Sequence, residues 1–256
     1  MIFESLHIIF GAVGGALLGS FTTMLVWRLH NDESGIWTGR SKCPKCKKTL
    51  SAFELIPVLS WIFQKGKCKN CEKKISIFYP LVEISFLITG VIFVHFFYSE
   101  IWWNTALNLL LVFFALILWV YDTKFSEVDR RISWPAILLA FVLAFVNGNI
   151  PSALIGGLIG FCFYAFQYFI SKGKWVGSGD MELGLFIGLA LGWEKMLGAL
   201  FIAYILGSLV AIPLLITNKK NIKSSLPMGA FLLPAFLIML HSGGQIVEWY
   251  FDFFLF

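Results

Sequence analysis

Two kinds of side chain in this sequence could do chemistry at a fixed geometry. The first is a set of thiols. Cys43-Pro44-Lys45-Cys46 and Cys68-Lys69-Asn70-Cys71 form two C-x-x-C pairs with 21 residues between them. Each pair turns two sulfurs toward one point, and four thiolates complete a closed tetrahedral shell, the pattern of a structural zinc site. Lys and Arg crowd both pairs, favouring thiolate and offsetting its negative charge. Two disulfides are the rival reading, and they are rare in the cytoplasm. The fifth cysteine, Cys162, stands alone in an apolar run and reads as a small packing residue.

The second is a set of carboxylates at the edges of apolar runs. Asp122 follows Leu118-Trp119-Val120-Tyr121, and Asp180 closes Gly177-Ser178-Gly179-Asp180. Ionisable groups at a membrane are costly and usually functional. Two carboxylates facing each other in a partly dry cleft cannot both ionise cheaply, so they share a proton. The ionised member can take a proton from water as it attacks a peptide carbonyl, while the protonated member donates to the carbonyl oxygen. Such hydrolysis needs neither a nucleophilic side chain nor a metal. Taken singly, each Asp also fits a cap or helix-end role near lipid headgroups. Asp129, Glu127 and Glu182 share the same surroundings, and chemistry alone does not rank Asp122 above Asp129.

The elements that must hold these groups are apolar. Of 256 residues, 58% are hydrophobic, 27 are Phe and only 14% are charged; soluble domains are about 45–50% apolar and about 25% charged. The same composition excludes disorder. The runs predict an all-α polytopic membrane protein with about eight transmembrane helices in the lipid bilayer, near 6–27, 80–97, 102–121, 132–147, 151–170, 180–193, 196–217 and 226–241. The sixth run is short, and 180–217 could instead form one re-entrant unit. The first run has no basic leader in Met1-Ile2-Phe3-Glu4 and exceeds a signal core of about 7–15 residues, which predicts a retained helix. The chain thus divides into a first transmembrane helix (1–28), a polar four-cysteine domain (29–79) and a transmembrane core carrying both aspartates (80–256). The aromatic tail, Glu248 to Phe256, reads as interfacial.

Charge fixes the expected orientation. Nineteen of the 20 Lys and Arg fall in 28–79, 122–131, 171–179 and 218–225, which alternating spans put on one side; only Lys195 is opposite. The bias places the cysteine domain and both aspartates in the cytoplasm and both termini outside. It also accounts for the net charge of +5 without nucleic acid as a partner. Gly184, Gly188 and Gly192, like Gly11, Gly15 and Gly19, repeat every four residues and read as close helix packing. Asp180 shares the Gly184 and Gly188 face, which predicts that it points to a packed neighbour. The Gly-Ser-Gly run before it suggests a tight turn.

Several segments together resemble the bacterial type 4 prepilin peptidases, leader peptidases with N-methyltransferase activity. They are Gly19-Ser20-Phe21 with Arg28-Leu29, the two C-x-x-C pairs, Glu54-Leu55-Ile56-Pro57-Val58-Leu59-Ser60-Trp61, and Ser76-Ile77-Phe78-Tyr79-Pro80-Leu81-Val82-Glu83. Asp122 with Pro135, Gly177-Ser178-Gly179-Asp180 and Leu226-Pro227-Met228-Gly229 follow in the family's order. The resemblance implies an aspartic endopeptidase of the bacterial inner membrane. Its catalytic pair would be Asp122 and Asp180, supported by Gly177 and Gly179, with structural zinc on Cys43, Cys46, Cys68 and Cys71. The implied partners are prepilins or pseudopilins, cut on the cytoplasmic side after a Gly, with N-methylation from S-adenosylmethionine in many members. No methyltransferase residue can be matched.

The sequence departs from the family's pattern in three places. Val128-Asp129-Arg130 stands where Ile-Pro-Asp is frequent, Glu182 stands where Lys is common, and Thr23 and His30 replace Asn and Pro. A carboxylate two residues after Asp180 predicts an altered pH optimum. An intramembrane protease of presenilin type also uses Gly-x-Gly-Asp but lacks the cysteine domain. A transporter or scaffold with a zinc-stabilised loop should carry polar groups at mid-membrane in two related halves, and no such repeat is present.

Overall fold

The structure is a computed structural model that describes residues 2–33, 39–97, 102–217 and 227–255. The expected loop lysines Lys219, Lys220 and Lys223, and Leu226 of the late motif, lie outside the described residues. The elements in order are α1 (Ile2–His30), a 3-10 turn (Ala52–Leu55), α2 (Leu59–Phe63), α3 (Phe78–Phe97), α4 (Trp102–Phe125), α5 (Arg130–Val146), α6 (Ile150–Ser171), α7 (Ser178–Leu191), α8 (Trp193–Ile216) and α9 (Gly229–Leu255). The protein is an all-α polytopic membrane protein: a helix covers each of the eight expected apolar runs. Hydrocarbon offers no partner to a free backbone N–H or C=O, so apolar chain survives there as closed helices. Among the described residues, six helices, α1, α3, α4, α6, α8 and α9, are long and apolar enough to cross a membrane.

The chain forms two compact units, 1–100 and 101–256. In the first, α1 and α3 approach through small residues. A Cβ on Gly11 would lie 2.6 Å from the Gly90 carbonyl oxygen, and one on Gly19 3.0 Å from the Glu83 Cα. The polar segment between these helices is tied to them by buried charges. Arg28 donates to the Gly39 carbonyl at 2.6 Å, and Glu83 of α3 accepts from the Val58 N–H at 2.7 Å. Val58 has φ +62°, an unfavourable setting for a β-branched residue, and the Glu83 carboxylate secures that turn. The matched motifs around Glu54, Trp61 and Glu83 thus have physical duties. Glu54 accepts from the Ser51 N–H and hydroxyl, both at 2.9 Å, and the Trp61 indole donates to the Ile75 carbonyl at 3.2 Å.

The second unit is arranged around α7. This helix has only 14 residues, a rise of about 21 Å against a hydrocarbon core of about 30 Å. It packs against α5, α6, α8 and α9, and Leu183, Phe186 and Ile187 are fully buried. A helix enclosed by protein does not have to match the bilayer's thickness, which explains how so short a run is accommodated. A turn at Gly192, φ +79°, separates it from α8. The seam between α6 and α7 is made of glycine: a Cβ on Gly156 would lie 2.5 Å from the Gly188 carbonyl oxygen, and one on Gly184 2.5 Å from that of Gly160.

Two local expectations change. α9 continues through the aromatic tail to Leu255 rather than ending near 241. Cys162 is exposed on α6 rather than packed in a core.

Candidate active site and metal centre

The apolar run that suggested a third span ends at Asp122, but α4 continues one turn further to Phe125. Asp122 therefore lies inside the last turn, where its carbonyl accepts from the Ser126 N–H at 2.7 Å. Its side chain is 4% exposed. The carboxylate faces the first residues of α9: the N–H groups of Gly229 and Ala230 are directed at it, without reaching hydrogen-bond geometry at Oδ2. A helix N-terminus carries partial positive charge, so this end favours the anionic form of whatever it faces. The Trp119 indole donates to the Ala230 carbonyl at 3.3 Å and locks α4 to α9 at the same level.

Asp180 is the third residue of α7 and is 7% exposed. Its Oδ2 accepts from the Gly177 N–H at 2.8 Å, one half of a capping arrangement that fixes the carboxylate at the helix start. The two aspartates are near enough for the charge of Asp180 to act on Asp122, and Leu183 of α7 reaches the same spot as Gly229 and Asp122. Separate helices thus bring two buried carboxylates to one locality.

Gly179 of the motif serves close packing rather than a left-handed turn. Neither Gly177 nor Gly179 has positive φ. A Cβ on Gly179 would lie 2.6 Å from Val128, so glycine there lets the α4–α5 loop close over the start of α7. Gly229 was quoted from the sequence only as part of a motif, yet it has the tightest relation to the site. A Cβ there would sit 2.7 Å from Asp122 Oδ2 and 2.8 Å from Leu183 Cδ1. Its partner is more than one hundred residues away, so no local signal could have shown this.

Two of the three competing carboxylates, Asp129 and Glu182, are committed elsewhere. Asp129 caps α5, accepting from the Arg131 N–H at 2.8 Å and pairing with its guanidinium at 2.6 Å. Burial opposes its charge, but the Arg131 side chain and backbone N–H outweigh that and hold Asp129 below the usual carboxylate range. Glu182 pairs with Arg130 at 3.1 Å and accepts from the Ser133 hydroxyl. The neutralising Arg130 removes the physical basis for the altered pH optimum expected from Glu182.

Sequence comparison decides what this arrangement belongs to. Residues 13–99 match the Bacterial Peptidase A24 N-terminal domain, and residues 109–212 match the Type IV leader peptidase family. A prepilin leader peptidase/N-methyltransferase of Bacillus subtilis (strain 168) is 32% identical over 92% of this chain and 94% of its own length. The chain belongs to the type IV leader peptidase family. Other relatives of the same description are those of Aeromonas salmonicida (strain A449), 29% identical over 86% of this chain and 77% of theirs, and Vibrio cholerae (serotype O1, El Tor Inaba N16961), 28% identical over 93% and 98%. No solved structure matches. The peptidase match contains Asp122 and Asp180, and the N-terminal match contains all four paired cysteines.

Those cysteines form the second centre. The two C-x-x-C turns have the same backbone plan. Cys43 N–H donates to the Lys48 carbonyl and Lys47 N–H to that of Cys43, both at 2.9 Å; Cys68 with Lys73 and Glu72 repeats this at 3.0 and 2.9 Å. Lys47 and Glu72 both have positive φ. All four Sγ atoms lie within 4.8 Å of one another, and Cys43 and Cys71 are 3.9 Å apart. A tetrahedron with metal–sulfur bonds of about 2.3 Å has edges of about 3.8 Å, so the cluster fits a closed four-thiolate ion such as zinc. The Lys48 N–H and the Asn70 side chain bring the Cys46 thiol down to about 6. Cys71 receives the Lys73 N–H, but burial and the neighbouring sulfurs outweigh it and push its thiol up to about 11. A metal entering the cluster must displace that proton, so affinity falls as pH is lowered.

Two outcomes follow. Gly229→Ala should displace the Asp122 carboxylate and reduce peptide cleavage by about 100-fold, the order expected for a misplacement of about 1 Å, with helix content by circular dichroism unchanged. Purified under reducing conditions, the protein should carry one metal ion per chain by elemental analysis, and strong chelators should lower its thermal midpoint; a metal-free protein of equal stability would contradict the second centre.

Proposed function

We propose that this protein removes the leader peptide of type 4 prepilins or pseudopilins, cutting on the cytoplasmic side of the bacterial inner membrane after a Gly. We further propose that it then methylates the new N-terminus with S-adenosylmethionine. The reading is supported by two buried carboxylates from α4 and α7, Asp122 and Asp180, lying within electrostatic reach of each other in a chain of this peptidase family. One carboxylate, ionised, takes a proton from the attacking water; the other, protonated, gives one to the scissile carbonyl oxygen. The two then exchange roles as the amine leaves. The α9 N-terminus beside Asp122 lowers the cost of holding one negative charge there.

The distribution of Lys and Arg supports the orientation, since the loop bearing Asp129 and the cysteine segment fall on the basic side. Zinc is the proposed ion of the four thiolates, with a structural role, because a closed shell leaves no position for substrate. The description of the relatives as N-methyltransferases supports the second activity. No residue is assigned to it.

Co-expression with a prepilin and mass spectrometry of the pilin N-terminus tests both activities together. The wild-type chain should yield a pilin shortened to the residue after the Gly and heavier by one methyl group. Asp122→Asn and Asp180→Asn should each leave the precursor intact while the enzyme still accumulates in the membrane. Leader removal by either variant would take that residue out of the mechanism.

A further inference from the structure

The seam between α6 and α7 continues into the aspartate site. Gly156 meets Gly188, and Gly160 meets Gly184, each pair in backbone contact. The helices are antiparallel, so four residues further along α6 correspond to four residues back along α7. The position after Gly160 is Tyr164, and the position before Gly184 is Asp180. The register therefore sets Tyr164 opposite Asp180. The ring occupies this place: Tyr164 Cδ2 is 2.9 Å from where a Cβ of Gly184 would stand, and the charge of Asp180 acts on the Tyr164 hydroxyl.

Tyr164 is completely buried, at 0% exposure, and its hydroxyl has no hydrogen-bond partner among the described residues. A buried hydroxyl without a partner costs stability, and Phe in the same place would avoid the cost. Tyr204, the other phenol near Asp180, is already committed, donating to Gln167 Oε1 at 2.9 Å. Asp180 spends Oδ2 on the Gly177 N–H, which leaves Oδ1 to accept from elsewhere.

We propose that Tyr164 is a positioning residue of the aspartate pair, its hydroxyl donating to a water that bridges to Asp180. It thereby orients Asp180 Oδ1 toward the reacting carbonyl. This rests on the reading of Asp180 as a catalytic carboxylate. In the same frame, Gly184 has a second purpose besides packing: it leaves room for the ring against α7 one turn from the aspartate.

The test is Tyr164→Phe in the full-length chain, assayed in proteoliposomes on a prepilin substrate, with Tyr204→Phe and Asp180→Asn beside it. Loss of the hydroxyl should lower kcat at least tenfold, leave KM within twofold, and leave the thermal midpoint unchanged or raised. Tyr204→Phe should keep kcat within threefold. A purely structural tyrosine would behave differently, losing activity only in step with stability. A kcat loss of less than tenfold in Tyr164→Phe, or a loss accompanied by a lower thermal midpoint, overturns the proposal. Cleavage by Asp180→Asn would instead overturn the protease reading beneath it, so the two failures are told apart.

Discussion

A carboxylate among apolar helices has lost the water that stabilised its charge, and the rest of the second unit is organised around meeting that loss. Desolvating one such group costs several kcal/mol unless it is neutralised, paired or hydrogen-bonded. Among the described residues, no cation pairs with Asp122 or Asp180. It offers a helix start instead: α9 for Asp122, and the Gly177 amide at the beginning of α7 for Asp180. Amide dipoles of this kind favour an anion without quenching its basicity, whereas a lysine or arginine would fix the proton count of the pair. Asp129 and Glu182 show the contrast within the same region, each held by an arginine and so spent as a structural anion.

Placing two helix starts and a helix end at one spot requires backbones to come closer than side chains normally allow. Glycine supplies that approach three times. Gly229 lets α9 touch Asp122, Gly179 admits Val128, and the Gly156–Gly160 ladder sinks α6 into α7. α7 can then be short, because its surroundings are protein rather than lipid. The first unit solves a different problem with the same economy: Arg28 and Glu83 each reach from a transmembrane helix to a backbone group of the polar segment, and four thiols of that segment converge on one point that could hold a metal ion.

The amount of this that could be read from sequence depends on the range of the signal. The eight helices were legible because apolar runs separated by basic loops are a local pattern, and their observed ends differ by only a few residues except in α9. The thiol cluster was legible because C-x-x-C pairs fix geometry within four residues. Asp180 could be assigned to a packed face because Gly184 and Gly188 repeat with it. Nothing local separated Asp122 from Asp129; the difference is Arg131, which claims one and not the other. The duty of Gly229 depends on a contact with α4, and that of Tyr164 on the register of α6 against α7. In helices apolar on every side, hydropathy does not distinguish a lipid-facing surface from a protein-facing one. The burial of α7 was hidden for that reason.

The central claim is that Asp122 and Asp180 face one cleft. Replacing both with cysteine in a Cys162→Ser background, and treating membranes with a short bifunctional thiol reagent, measures this directly by peptide mass mapping. The account predicts an intramolecular bridge joining the segment of α4 to that of α7. If each single cysteine reacts with the reagent but the pair never bridges, the two carboxylates do not meet, and the mechanism built on them is wrong.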